Sequence, residues 1–415
     1  MHLLNTLKKS ASLLAIAALA TSISGCSLFG DDDEEIKIAP LQPINENLNV
    51  SVKWERSVGD GVGEFFSRLN PVVAYDKVYA ADRQGTVVAM SKDNGETLWE
   101  VELHDLIEIN EASDEGWFSG ILSSPFPARI SGGLVAAYDK LFLGTENGDL
   151  IALNAETGEL VWHVDVGNEV NSDPAVGEGR VVIHTTGGKV ISYDAESGEQ
   201  QWQFEYQTPT LTLRGSSAPT IASGGVIVGD SNGTASILIA NNGQQAWTQS
   251  VGTPSGATEL EALADIDANP VVVGGVIYMI AYNGELVALE LRSGEVRWKR
   301  DYSAFENMLV RGGRIYLTDY QSHLYGLNQE GGIELWSNNE MFGRKLTGPA
   351  WHDGFVVVGD LDGYLHWLNP TNGTIEGRYE VGGDGIFAQP VVDGTTLYTQ
   401  TRDGDIVAIE INSGS

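Results

Sequence analysis

Short apolar runs separated by glycine-centred turns recur along most of the chain, always in the same order. A run such as Arg314-Ile-Tyr-Leu-Thr-Asp319 leads into a tight turn, a second apolar run, and then Gly-x-x-x-Trp. The turns are Asn147-Gly148, Asn232-Gly233, Asn283-Gly284, Asp362-Gly363 and Asp403-Gly404, with Gln84-Gly85, Gly187-Gly188 and Gln321-Ser322 as looser forms. Asn-Gly and Asp-Gly predict two-residue hairpins in which both central residues take positive φ. Another short strand precedes each hairpin, usually opened by a proline: Pro71, Pro174, Pro219, Pro270, Pro349 and Pro390. Each unit is therefore expected to hold four strands.

The Gly-x-x-x-Trp signature falls at Gly95/Trp99, Gly158/Trp162, Gly198/Trp202, Gly243/Trp247, Gly294/Trp298 and Gly332/Trp336, with Gly373/Gly377 as a variant lacking the indole. The intervals of 63, 40, 45, 51, 38 and 41 residues suit propeller blades. The last unit, opening at Pro390, runs out at Asn412-Ser413-Gly414, where its tryptophan strand should follow. That strand stands at the other end of the chain, in Ser51-Val52-Lys53-Trp54. The expected fold is all-β: an eight-bladed β-propeller of four-stranded antiparallel blades, its ring closed by the N-terminal strand completing the C-terminal blade. A solenoid would need caps at both ends instead. Trp54, Trp99, Trp162, Trp202, Trp247, Trp298 and Trp336 are read as blade-packing residues, not as a platform for substrate.

The first residues follow another pattern. Lys8 and Lys9 precede an apolar run, Ala11 to Ala20, that is too short to span a bilayer, and Ile23-Ser24-Gly25-Cys26 follows. Residues 1–25 are expected to be a signal peptide, with Cys26 the lipid-bearing first residue of the mature chain. Residues 26–49, with Asp31-Asp32-Asp33-Glu34-Glu35, Pro40 and Pro43, read as a flexible acidic tether, and 50–415 as the propeller. Residues 100–133 form the longest interblade loop and carry Trp117 and Phe118, a partner anchor or a pin for the loop itself.

Composition narrows the function. Apolar residues make up 42% of the chain, enough for a core, and 50 glycines serve its many turns. A net charge of -33 excludes a nucleic-acid footprint. The single cysteine excludes a disulfide framework and a Cys-rich zinc site. There is no His-Glu-x-x-His or Walker loop, and no catalytic residue is assigned. Asp265-Ile-Asp267-Ala-Asn269-Pro270 starts like an EF-hand loop, but Pro270 replaces the required glycine and no metal is expected there.

The repeat, with its Gly-x-x-x-Trp signature, resembles the quinoprotein propellers. Within them the chain resembles the BamB family of outer-membrane assembly lipoproteins. The segments carrying this likeness are Leu211-Thr-Leu-Arg-Gly-Ser-Ser-Ala-Pro219, Asp265-Ile-Asp267, Ala281-Tyr-Asn-Gly284 and Gly359-Asp-Leu-Asp-Gly-Tyr-Leu-His-Trp367. The resemblance implies a non-enzymatic scaffold without cofactor, anchored to the outer membrane of a Gram-negative bacterium and facing the periplasm. It also implies docking onto the POTRA domains of BamA as a monomer within a hetero-oligomeric complex, and a role with unfolded outer-membrane proteins. Leu211, Leu213, Arg214, Asp265 and Asp267 match the residues implicated in docking. The alternative is a quinone (PQQ)-dependent dehydrogenase or a degenerate ligand-binding relative.

Pro219 and Pro270 open consecutive blades, so the loops carrying these five residues emerge side by side. Leu211 and Leu213 would then form an apolar centre and Arg214, Asp265 and Asp267 a charged rim. In the other reading the leucines tuck under the loop while Arg214 pairs with Asp265.

Overall fold

The computed structural model describes residues 38–45, 47–65, 67, 69–107, 127–208, 217–252 and 264–412. Cys26, the signal segment, Trp117 and Phe118 lie outside the described residues. Among those described, 32 strands form eight antiparallel sheets of four, an eight-bladed propeller. Blades one to eight are numbered here from residues 72–102, 130–165, 175–205, 220–250, 271–300, 309–338, 350–380 and 391–412. Blade eight takes its fourth strand from Asn49–Ser57, which pairs antiparallel with Asp405–Asn412.

Burial follows position within the blade. The innermost strands are mostly three residues long, as in Val72–Ala74, and half-buried. The two middle strands, such as Lys77–Ala81 and Thr86–Ser91, are almost wholly buried because neighbouring blades cover both faces. Such strands read as continuous apolar runs.

The motif follows from packing between blades. Each indole lies on the glycine of the next blade's signature: Trp54 on Gly95, Trp99 on Gly158, Trp162 on Gly198, Trp202 on Gly243, Trp247 on Gly294, Trp298 on Gly332 and Trp336 on Gly373. Gly95 has φ +69°, and a Cβ there would stand 2.6 Å from Trp54 Cε3. The indole N–H groups donate into the same turns, Trp54 to Lys92 O at 3.0 Å, Trp202 to Ala240 O at 2.7 Å and Trp336 to Pro370 O at 2.9 Å. A bulge sits beside each of these tryptophans. Ala89 faces Trp99 while Met90 faces Thr97, so Leu98 is the extra residue.

Blade seven departs from the rule where the ring is covalently open. No turn links Asn412 to Asn49, so its fourth strand, Ile375–Glu380, has no intact neighbouring turn on which to lay an indole. Gly377 occupies that position and Leu48 fills the space, 2.9 Å from where a Cβ would stand. The tryptophan has moved across the pair: Trp367 on the third strand faces Gly377, fully buried, and donates to His352 Nδ1 at 3.0 Å.

Two expectations change. The Asn-Gly and Asp-Gly turns do not hold both residues at positive φ. At Asn147-Gly148, Asn232-Gly233, Asp362-Gly363 and Asp403-Gly404 only the glycine does, closing a turn whose N–H returns three residues, as from Gly148 to Thr145 O. At Asn283-Gly284 it is the asparagine. The turns with two positive φ values are the innermost ones, including Tyr75-Asp76 (51° and 58°) and Tyr138-Asp139 (52° and 57°). There the tyrosine hydroxyl accepts an N–H from the next blade, Tyr75 from Asp139 at 3.0 Å and Tyr138 from Gly179 at 2.9 Å. The second change concerns residues 26–49, expected to be flexible throughout, whose described part is packed on the propeller. Residues 38–48 lie against blade seven, with Ala39 N–H bonded to Phe342 O and Asn47 N–H to Glu376 O.

Truncating Trp298 to alanine should cost ~3–5 kcal/mol, as for other large core truncations; a melt coinciding with wild type would sink the packing role. Burial pushes the His184 imidazole from 6.5 down to about 4. Between those values the unfolded chain binds a proton that the folded chain refuses, so stability is full above the unfolded value and falls as pH drops through the window. The loss from this group is roughly 2 kcal/mol between pH 7 and pH 5. Urea titrations at the two pH values should show that loss shrinking in His184→Gln; an unchanged difference would assign it elsewhere.

Candidate functional site on the interblade-loop face

Strand direction sorts the connections onto two faces. One carries every loop from an outermost strand to the next innermost strand, together with the turns joining the two middle strands. Backbone bonds knit these together: Arg83 N–H to Gly61 O, Tyr282 N–H to Asp265 O, Gly343 N–H to Gln321 O and Arg402 N–H to Gly385 O, at 2.8–3.0 Å. Among the described residues these bonds tie an interblade loop to a neighbouring turn at four places on the face.

The loop between blades four and five carries Asp265 and Asp267. Ile266 packs under it against Gly229, and its N–H bonds to Asp230 O at 3.3 Å. Asn269 fixes the far end, accepting from Ala218 N–H at 2.9 Å while its own N–H donates to Asn307 Oδ1 at 2.8 Å. Asp265 and Asp267 are only 1% and 4% exposed. The charged rim expected from them is therefore not presented to solvent. A buried carboxylate must be partnered, and these two act from within the loop. Leu211, Leu213 and Arg214 lie outside the described residues. Ser217, just after them, is fully buried and donates to Ala268 O at 3.2 Å, so the two loops meet at their blade ends.

Beneath them, His184 Nδ1 faces Ser217 O at 3.3 Å, and burial keeps this imidazole neutral near pH 7. Burial also raises the Asp230 carboxyl above its ordinary value, against N–H donors from Asn232 and Thr234. Burial likewise raises the Tyr206 hydroxyl, whose ring meets His184 edge-on at 6.2 Å.

Beside Asp265 stands an aromatic group that the sequence analysis did not single out. Tyr282 packs edge-to-face on Tyr320 with centroids 6.0 Å apart and tilts on Phe305 at 6.4 Å. Tyr320 is 51% exposed. Further round the face Arg83 lies 3.8 Å over the Phe65 ring, and Arg402 lies 4.8 Å over Phe387. These rings occupy turns and loops, where the strand periodicity has no face to assign them to. Their available signal was composition, large aromatics beside turn residues. The arrangement can present flat apolar rings and guanidinium planes to a protein partner.

Among the described residues no group of three or more His, Cys, Asp or Glu is placed to hold a metal ion. No described helix is long and apolar enough to cross a membrane. On the opposite face a recess of about 430 Å³ is lined by Arg311, Trp351, Asp353, Gly354, Val392 and Gly394, with Arg311 5.0 Å over the Trp351 ring.

Comparison with known proteins agrees with this architecture. The family model described as outer membrane protein assembly factor BamB matches residues 83–338 and 320–415. The protein of that name from Alteromonas naphthalenivorans is 42% identical over 403 residues, covering 94% of each chain. Its counterpart from Escherichia coli K12 is 38% identical over 389 residues, 94% of this chain and 96% of that one. The crystal structure of BamB from Moraxella catarrhalis superposes with a TM-score of 0.75 at 24% identity, covering 87% of this chain and all of that one. Quinohemoprotein alcohol dehydrogenase from Comamonas testosteroni shares the fold at a TM-score of 0.68 and 15% identity, covering 90% of this chain and 78% of its own. The chain belongs to the outer membrane protein assembly factor BamB family.

Proposed function

We propose that this chain is a non-enzymatic scaffold of outer-membrane protein assembly. Lipid on Cys26 anchors it to the outer membrane facing the periplasm, and its interblade-loop face holds the POTRA domains of BamA. Family membership supports the assembly role. The observation that carries the docking face is the juxtaposition of the Asp265 loop, the blade-end of the Leu211–Arg214 loop and the exposed Tyr320, packed on the half-buried Tyr282, on one surface. In this arrangement Asp265 and Asp267 shape the loop, while Tyr320 and Arg214 supply contact. Aromatic and arginine side chains dominate such interfaces.

The test is co-purification of BamA POTRA domains with single variants, with melting curves in parallel. Tyr320→Ala and Arg214→Ala should each weaken binding by tenfold or more, about 1.4 kcal/mol, with the melt close to wild type. Asp265→Ala should lower both, because it empties a buried position. Full binding by both Tyr320→Ala and Arg214→Ala would remove the docking face.

A further inference from the structure

The described residues of 38–48 run along the outer side of blade seven without forming a strand, held at Ala39, Gln42, Asn47 and Leu48. Ala39 N–H donates to Phe342 O at 2.9 Å, and Ala39 O accepts from Arg344 Nη1 at 3.2 Å. Gln42 O accepts from Arg378 Nη1 at 3.1 Å. The Asn47 side chain donates to Glu376 Oε2 at 2.6 Å, and Leu48 plugs the position beside Gly377.

The two arginines are themselves fixed from below. Arg344 Nε donates to the fully buried Asp360 at 2.7 Å, and Nη2 donates to Asp362 at 2.6 Å. Arg378 Nε donates to His366 Nδ1 at 3.2 Å, leaving His366 Nε2–H to donate to Asp360 at 2.9 Å. Two guanidinium groups, two carboxylates and a neutral imidazole balance in charge, and the spare arginine N–H groups point at backbone carbonyls of the segment. Bonds to backbone hold its path whatever its side chains are.

The path reverses where the chain departs. The fourth strand of blade eight begins at Asn49, opposite Asn412, on the face away from the interblade loops. Without residues 38–48 in place, any preceding chain would leave from that face. With them, it leaves beside Phe342 and Arg344, on the interblade-loop face, where Ile38 is 49% exposed.

We infer that residues 38–48 form an orienting strap that turns the interblade-loop face toward the lipid surface; this rests on the reading of Cys26 as the lipid anchor. Ile38 lies twelve positions after Cys26, a span of at most about 43 Å fully extended. Released back to Asn49, which lies 23 positions after Cys26, the tether would reach about 80 Å and start from the opposite face. Net charge does not draw the propeller to the surface, because loss of Lys8 and Lys9 with residues 1–25 takes it from -33 to -35, and an anionic leaflet repels such a chain. Tether length and exit point are left to decide the orientation.

The native cysteine is the lipidated one, so single cysteine probes are specific. The full lipoprotein carrying Asp384→Cys, on the interblade-loop face, or Thr371→Cys, on the opposite face, is labelled with a donor. It is then bound to phosphatidylethanolamine–phosphatidylglycerol vesicles bearing acceptor headgroups. Transfer should be severalfold stronger from position 384 than from 371. Combining Arg378→Leu with Asn47→Ala should erase that contrast. So should a twelve-residue Gly-Ser insertion between residues 37 and 38, which leaves the propeller and its melt untouched. Equal transfer from the two probes on bound wild-type protein overturns the strap while sparing the anchor. Failure of the wild type to bind vesicles overturns the anchor and, with it, the orientation.

Discussion

An indole laid on the bare backbone of a glycine in the neighbouring blade is the contact on which this ring depends. It explains two residues of the repeat at once. The glycine must lack a Cβ because the ring occupies that space, and the tryptophan must follow four residues later because it serves the next blade in turn. Burying an aromatic of this size removes on the order of 150–250 Å² from water, and the indole N–H secures the direction through a carbonyl of the same turn. Blades one to six each both give and receive this contact, blade seven only receives it and blade eight only gives it, so one repeated contact runs round the ring with a single break.

The same contact accounts for the exception. At blade seven the neighbouring turn is interrupted by the chain ends, so an indole on the outer strand would lie against nothing. Trp367 sits on the adjacent strand instead, Gly377 replaces the outer indole, and Leu48 covers the gap. The residue that repairs the packing belongs to the segment leading toward the N-terminus, so closing the ring and fixing the path of residues 38–48 are one structural event.

Function then concerns surface shape. The interblade-loop face combines carboxylates buried inside a loop, a tyrosine pair standing on a turn, and guanidinium groups lying on phenyl rings. Its parts come from blades far apart in sequence and are tied by loop-to-turn backbone bonds, which fits a docking platform of defined contour. The strap adds an orientation to that platform, since the chain departs from the face that carries it.

Much of this was legible in the chain alone. The strand order, the blade number and the completion of the last blade by Trp54's strand follow from periodicity, because a repeat that packs on copies of itself writes its contacts into its spacing. The family likeness also rests on segments readable without coordinates. What needed three dimensions was everything set by neighbours distant in sequence. Asp265 and Asp267 look like surface charge in a loop, and only packing against Gly229 and Asp230 shows the loop turned inward. Tyr282 and Tyr320 are 38 residues apart in separate turns and meet only because adjacent blades stand side by side. Residues 38–48 carry Pro40 and Pro43 and no strand periodicity, and no local signal shows that Arg344 and Arg378 will hold their carbonyls. Sequence alone determined the repeating unit, because each unit's packing is local and periodic; tertiary structure decided which loops are buried, which rings meet and where the chain departs, because those depend on backbone brought together only by closing the ring.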